Sequence, residues 1–264
     1  MLDYALYIPA GLLVGMLVGL TGVGGGSLMT PILVLLFGQA PTVAVGTDLI
    51  FASITKLAAT ASFGYSRRVD WPVVGRLAVG SLPASVAVLL WFWLSGGTVA
   101  GVDQLIMKSL AVMLVVTALG MLMQASLRRL GLKVTSTSLR RTERWTPALT
   151  IITGLLLGAA VTLTSVGAGA LGVVALLYLY PLRLTYDRLV ATDIAHALPL
   201  TLVAGLGHAT LGHLNLPVLG FLLIGSIPGV LIASRLAIRL PQRVTRTLLA
   251  IVLGLVGGRM LVGL

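Results

Sequence analysis

Between Tyr4 and Thr47 there is not one Asp, Glu, Lys or Arg. Four more such runs cover Leu77–Val102, Ser109–Leu127, Trp145–Leu182 and Ile194–Ser234. A helix of about 20 apolar residues crosses a bilayer, and in hydrocarbon only helices and closed barrels satisfy their own backbone. Runs of this length, unalternated, specify an all-α polytopic membrane protein. The charged fraction is 9%, against about 25% in soluble domains. The formal net charge of +11 sits in short loops, where membrane orientation and anionic lipid account for it, so no nucleic-acid partner is expected. The chain has no cysteine, hence no disulfide or thiol chemistry. Asp3 stands where a signal peptide would be basic, so the first apolar segment is expected to be retained.

The two halves repeat each other. TGVGGGSL at 21–28 matches TSVGAGAL at 164–171, and VGTDLI at 45–50 matches VATDIA at 190–195. VDWPVVG at 69–75 matches LNLPVLG at 214–220, and GSLP at 80–83 matches GSIP at 225–228. The offset is 143 at the first match and 145 at the others. This divides the chain into an N-terminal transmembrane repeat (1–126), a basic linker (127–147) and a C-terminal transmembrane repeat (148–264). The linker holds Arg128, Arg129, Lys133, Arg140, Arg141 and Arg144 against Glu143 alone, which makes it cytoplasmic.

Eight apolar segments follow, at about 5–37, 42–65, 72–95, 104–126, 148–180, 188–210, 217–238 and 245–264. Eight full crossings would put Arg235, Arg239, Arg243 and Arg246 outside, against the positive-inside rule. The first and fifth segments are long enough to be re-entrant hairpins, each broken by glycines near its centre. Arg67, Arg68, the linker, Arg183, Arg188 and the Arg235–Arg246 group then all fall inside. The expected fold is therefore two inverted repeats, each a glycine-broken re-entrant hairpin plus three transmembrane helices, with eight full crossings as the alternative. Tyr65, Trp71, Trp91, Trp93, Trp145 and Tyr178 fall near predicted boundaries as interfacial anchors.

Broken helices meeting at the midplane are the pattern of secondary transporters. The second arms start near Gly26–Ser27 and Gly169–Ala170, where free N–H groups and the positive dipole end favour an anion. Candidate substrate-binding residues are Thr21, Gly24, Gly25, Gly26, Ser27, Lys56, Thr164, Ser165, Gly167 and Gly169. The ladder Gly11, Gly15, Gly19 reads instead as close helix packing. Ionisable groups inside the segments are expensive and usually functional. Lys56, whose repeat mate is Thr201, is the natural fixed positive charge. Asp48, Asp193, His196 and His208 are candidates for proton coupling. Asp48 and Asp193 are mates, each preceded by Thr, and their bland role is a local hydrogen bond near a helix start. His213 reads as a loop residue.

The stretches from Gly19 to Lys56 and from Thr164 to Leu219 resemble the TauE/SafE family of sulfite exporters and related permeases. That resemblance implies transport of small sulfur-containing anions, such as sulfite, thiosulfate or organosulfonates, across the bacterial cytoplasmic (inner) membrane. It adds the substrate class to a reading of the residues that otherwise gives an anion-favouring transporter. No cofactor or metal is expected. A cation or metal transporter using Asp48, Asp193, His196 and His208 is the rival. Neither H-E-x-x-H nor G-x-S-x-G occurs, which argues against an enzyme.

Overall fold

The computed structural model describes residues 2–21, 26–63, 68–95, 101–137, 139–236 and 242–263. Among them every regular element is a helix. In the first half these are α1 (Leu2–Ala5), α2 (Tyr7–Thr21), α3 (Gly26–Leu35), α4 (Pro41–Phe63), α5 (Trp71–Leu94) and α6 (Val102–Leu122). Then come α7 (Gln124–Thr137), α8 (Leu139–Thr164), α9 (Ala170–Leu179), α10 (Tyr186–Thr210), α11 (Leu216–Leu236) and α12 (Gln242–Val262). Five stretches are long and apolar enough to cross a membrane: Trp71–Leu94, Val102–Leu122, Trp145–Thr164, Tyr186–Thr210 and Leu216–Ser234. Trp71 at one end of α5 and Trp91 and Trp93 at the other are exposed, as interfacial anchors would be. The basic stretch at 127–147 is largely covered by α7 and the start of α8.

The second glycine-rich motif interrupts a helix where the sequence places it, and the first falls between the end of α2 at Thr21 and the start of α3 at Gly26. The short arms α3 and α9 begin at Gly26 and Ala170. Gly24 and Gly25 lie outside the described residues. In the second break Ser165 (φ 59°), Gly167 (φ 110°) and Gly169 (φ 130°) take left-handed backbone, which ends α8 and turns the chain into α9.

Each broken segment doubles back. Phe37, just past α3, stacks on Tyr7 at the start of α2 with ring centroids 4.1 Å apart, and Gln39 Nε2 donates to the Tyr7 hydroxyl at 3.1 Å. Residues 143 further on, the hydroxyls of Thr150 and Tyr180 are 2.8 Å apart.

The halves pack by exchange. α2 lies on α11, and α8 lies on α5. A Cβ on Gly11, Gly15 or Gly19 would overlap Leu222, Ser226 or Val230 of α11, so the two backbones touch and run in the same direction. Gly154 and Gly158 of α8 meet Leu77 and Ser81 of α5 in the same way. These are repeat-equivalent contacts, and the ladder is indeed a packing device. By contrast α4 and α10 run antiparallel, Gly46 meeting His208 and Gly205 meeting Ile50. α6 and α12 do likewise, Gly257 meeting Leu114 and Gly254 meeting Ala118.

The loop ends are tied across the halves as well. Asp70 caps α5 by accepting from Val73 N–H, and its own N–H donates to Thr192 Oγ1 at 3.0 Å. Asn215, its mate, accepts from Val218 N–H at 3.2 Å and donates to Thr47 Oγ1 at 3.1 Å. Only Asp70 carries charge, and Arg183 clamps it with two hydrogen bonds of 2.9 Å.

Replacing Gly15 or Gly158 by Leu is expected to cost about 1–3 kcal/mol through overpacking. Gly75→Ala, whose Cβ would meet nothing within 4 Å, should stay within about 0.5 kcal/mol of the parent. Denaturant unfolding of the detergent-purified variants checks both.

Candidate functional site

Asp48 and Lys56 of α4 converge with Asp193 and His196 of α10 beside the second helix break. Asp48, Lys56 and Asp193 are 0%, 2% and 1% exposed, an extreme for charged groups and affordable only through mutual pairing. Lys56 Nζ donates to the Ala168 carbonyl at 3.0 Å, reaching across to the second half. That carbonyl sits one residue before Gly169, the N-cap of α9. Asp193 and Asp48 both lie within electrostatic range of Lys56.

The two mate aspartates are set differently. Asp48 lies two turns inside α4 rather than at its start, so its partner is not local. Its Oδ2 accepts from the Thr30 N–H at 3.1 Å and from the Thr30 hydroxyl, both on α3. The Ser165 hydroxyl approaches it from the second break. Asp193 packs Oδ1 directly on Gly172 of α9, where any Cβ would collide with it. Its Oδ2 accepts no hydrogen bond among the described residues. The preceding threonines, Thr47 and Thr192, are the ones that hold the opposite half's loop. The retained Thr-Asp pair thus does two jobs, one at the loop and one at the break.

His196 sits one turn after Asp193 and is 2% exposed. Its Nε2 is 2.8 Å from Ser81 Oγ on α5. Thr164, expected to offer its hydroxyl to a ligand, has it engaged: it donates to Ala160 O at 2.7 Å and accepts from Val166 N–H at 3.1 Å. It therefore caps the break. The side chains of Thr21 and Ser27 lie outside what the structure describes, so the first tip contributes here only through α3.

His208 does not join this group. It lies twelve residues beyond His196 on α10, about 18 Å along the axis. Its Nε2 is 2.9 Å from the Thr162 carbonyl and its Nδ1 3.2 Å from Nδ1 of His213. A carbonyl only accepts, so Nε2 carries the His208 proton. The neutral ring then accepts at Nδ1 from a protonated His213 Nδ1. Burial pushes His213 below the ordinary imidazole value, against the pull of Asp103. The loop residue is thus half of a histidine pair that fastens the end of α10.

Thr30 and Ser81 escaped the sequence reading. Ser81 had a signal, since GSLP is a repeat motif whose second serine, Ser226, is buried with no hydrogen bond to its hydroxyl in the structure. Among the described residues no three His, Asp or Glu side chains gather as a metal site. A crevice of about 450 Å³ opens between α6 and α8, lined by residues from Lys108 to Thr164.

Spanning helices packed around a buried ionic cluster at a helix break define a polytopic α-helical membrane transport protein. A profile of the sulfite exporter TauE/SafE family matches residues 7–260. The chain belongs to that family. It is 38% identical over 262 residues to the probable membrane transporter protein YjnA of Bacillus subtilis, covering 97% of this chain and 98% of that one. A probable membrane transporter protein of Methanocaldococcus jannaschii is 26% identical over 277 residues, covering 96% and 93%. No solved structure matches.

Removing one member of a buried charge set strands the other. Lys56→Met is expected to destabilise the protein by about 3–5 kcal/mol, and adding Asp193→Asn should recover part of that loss. Unfolding of the two single variants and the double variant measures the coupling.

Proposed function

We propose that this chain is a secondary transporter, working as an exporter, of small sulfur-containing anions such as sulfite, thiosulfate or organosulfonates. The observation that carries the reading is the Lys56 ammonium bonded at the second break, next to the start of α9. A fixed cation and the positive end of a helix dipole face one point in a water-poor interior, the combination that binds a small oxyanion. Backbone donors of Gly167 and Gly169 belong to this half-site. We assign the opposed half to Gly24, Gly25, Gly26 and Ser27, the repeat mates of the second break.

Asp48, Asp193 and His196 surround Lys56 and are the groups we assign to proton coupling. His208 keeps a supporting role at the end of α10. A transported cation is the weaker reading, because Lys56 already neutralises part of the carboxylate charge that a cation would need.

The topology we assign is two inverted repeats, 1–126 and 148–264, each a re-entrant hairpin followed by three crossings, joined by the cytoplasmic linker 127–147. Four observations support it. The hairpin ends meet at Tyr7–Phe37 and Thr150–Tyr180. Mates α4 and α10 run antiparallel, as do α6 and α12. Asp70 and Arg183 are ion-paired, so their loops share a face. Thr42 donates to Asp103 at 3.1 Å, so the next loops share the other. Eight full crossings would separate the Asp70 loop from the Arg183 loop. Transport then proceeds by rocking one repeat against the other around the breaks.

The decisive experiment is thermal stabilisation of the purified protein by sulfite, thiosulfate, sulfate, sulfoacetate, chloride and phosphate, with Lys56→Ala in parallel. A ligand that prefers the folded state raises its stability. One sulfur anion should stabilise the parent and lose at least tenfold in affinity in the variant. A flat panel with a strong response to a divalent metal would overturn the anion reading.

Topology is read separately, since the chain has no cysteine of its own. In right-side-out vesicles an impermeant maleimide should label Gln39→Cys and His213→Cys. Arg68→Cys and Arg183→Cys should label only after the membrane is opened. Opposite labelling of positions 68 and 183 would restore eight crossings.

A further inference from the structure

The first turn of α9 already has a carboxylate lying against it. α9 is ten residues long, and the first N–H groups of any helix have no partner within it. At its third residue, Gly172, the Asp193 carboxylate rests on the backbone itself. This carboxylate is 1% exposed, and its Oδ2 accepts no hydrogen bond among the described residues. A buried carboxylate left short of donors is held by charge, and the charges at hand are Lys56 and the helix end. Its mate Asp48 has two donors from Thr30 on Oδ2, while its Oδ1 accepts no hydrogen bond among the described residues. Asp193 therefore sits where an incoming anion would sit, attached to α10 instead of arriving from solution.

Two anions cannot share one ammonium and one helix end in a medium that screens so poorly. Among the described residues, Lys56 is the cation whose charge acts on Asp193, with no second one to hold the surplus. From α4 come Lys56 and Asp48, and from α10 itself comes His196, whose Nε2 is engaged with Ser81 of α5. α9 brings Gly172, which has no side chain.

We infer that Asp193 is a built-in competitor for the transported anion, which takes its place at Lys56 and α9 only after the carboxylate has accepted a proton. The inference rests on the anion reading above and sharpens it. The carboxylate becomes a neutral carboxylic acid, Lys56 is released to the anion, and one proton travels with each anion bound. Losing the anion lets Asp193 discharge its proton and close back onto Lys56. The niche is then refilled from within, so no uncompensated lysine is left in the membrane between cycles.

The test uses full-length detergent-purified protein with thiosulfate, which stays a dianion across the range examined. In the parent, affinity from thermal shift should strengthen as pH falls from about 8 to about 5, approaching tenfold per unit, because the competent protonated form is a shrinking fraction at high pH. In Asp193→Asn the affinity should be flat with pH and at pH 8 should at least equal the parent's best. A packing role for Asp193 would lower stability without removing the pH slope. Calorimetric titration of the parent in two buffers of different ionisation enthalpy needs no variant, and should show about one proton taken up per anion.

An unchanged slope in Asp193→Asn, or binding without proton uptake in the parent, overturns the competitor role while leaving the anion reading intact. Absence of binding by every anion of the panel, in both proteins and at every pH, overturns the anion reading and the competitor with it.

Discussion

A helix that breaks inside an apolar bundle must be enclosed, because its unpaired backbone groups have no water to turn to. The rest of this architecture answers that requirement. The long arms α2 and α8, each leading to a glycine motif, are covered mainly by the other half. Each lies against a helix of the other half with backbones in contact, α2 on α11 and α8 on α5. Glycine makes that contact possible, at Gly11, Gly15 and Gly19 on one side and at Gly154 and Gly158 on the other. The threonines of the Thr-Asp pairs tie the loops of opposite halves at the two ends. Enclosure of the breaks and association of the halves are therefore one interaction seen twice.

Enclosure also explains the cost structure of the site. Three charged side chains less than a few per cent exposed would be ruinous separately, and they persist because each offsets another. Lys56 belongs to the first half yet bonds the break of the second, so the cluster depends on the exchange of arms. Asp48 and Asp193 look equivalent in sequence, but the first has two donors from Thr30 on one oxygen and the second lies against Gly172. Equal residues at equal positions have thus acquired different chemistry from what the neighbouring arm presents, Thr30 in one case and Gly172 in the other.

Much of this was legible in the chain. Uncharged runs gave the helices, the glycine clusters gave the starts of α3 and α9, and the four matched motifs gave the mates whose contacts turn out to be equivalent. Lys56 and the aspartates stood out because charge in such runs is rare. What stayed hidden is whatever depends on partners more than a hundred residues away. Nothing local in GSLP says that Ser81 will meet His196, nor in VDWP that Asp70 will meet Thr192 and Arg183. Thr30 was passed over because a threonine in an apolar helix usually bonds its own backbone, as Thr55 and Thr201 do here. The histidine pair was missed because His213 lies beyond a helix end, where periodicity gives no bearing.

The exchange of arms has a consequence for how such a chain can have arisen. Since each half packs its long arm mainly against the other, a half-length ancestor would gain that packing only as a pair of identical copies, each lending its arm to the other. Identical copies must carry identical residues, so a lysine at position 56 would have brought a second at 201, two ammonium groups crowding one buried centre. Fusion into a single chain lifted that restriction. The unequal mates seen today, Lys56 with Thr201, Asp70 with Asn215 and His196 with Phe51, are differences that no symmetric pair could hold. A single centre with one cation and two distinguishable acids exists because the two halves no longer have to be the same.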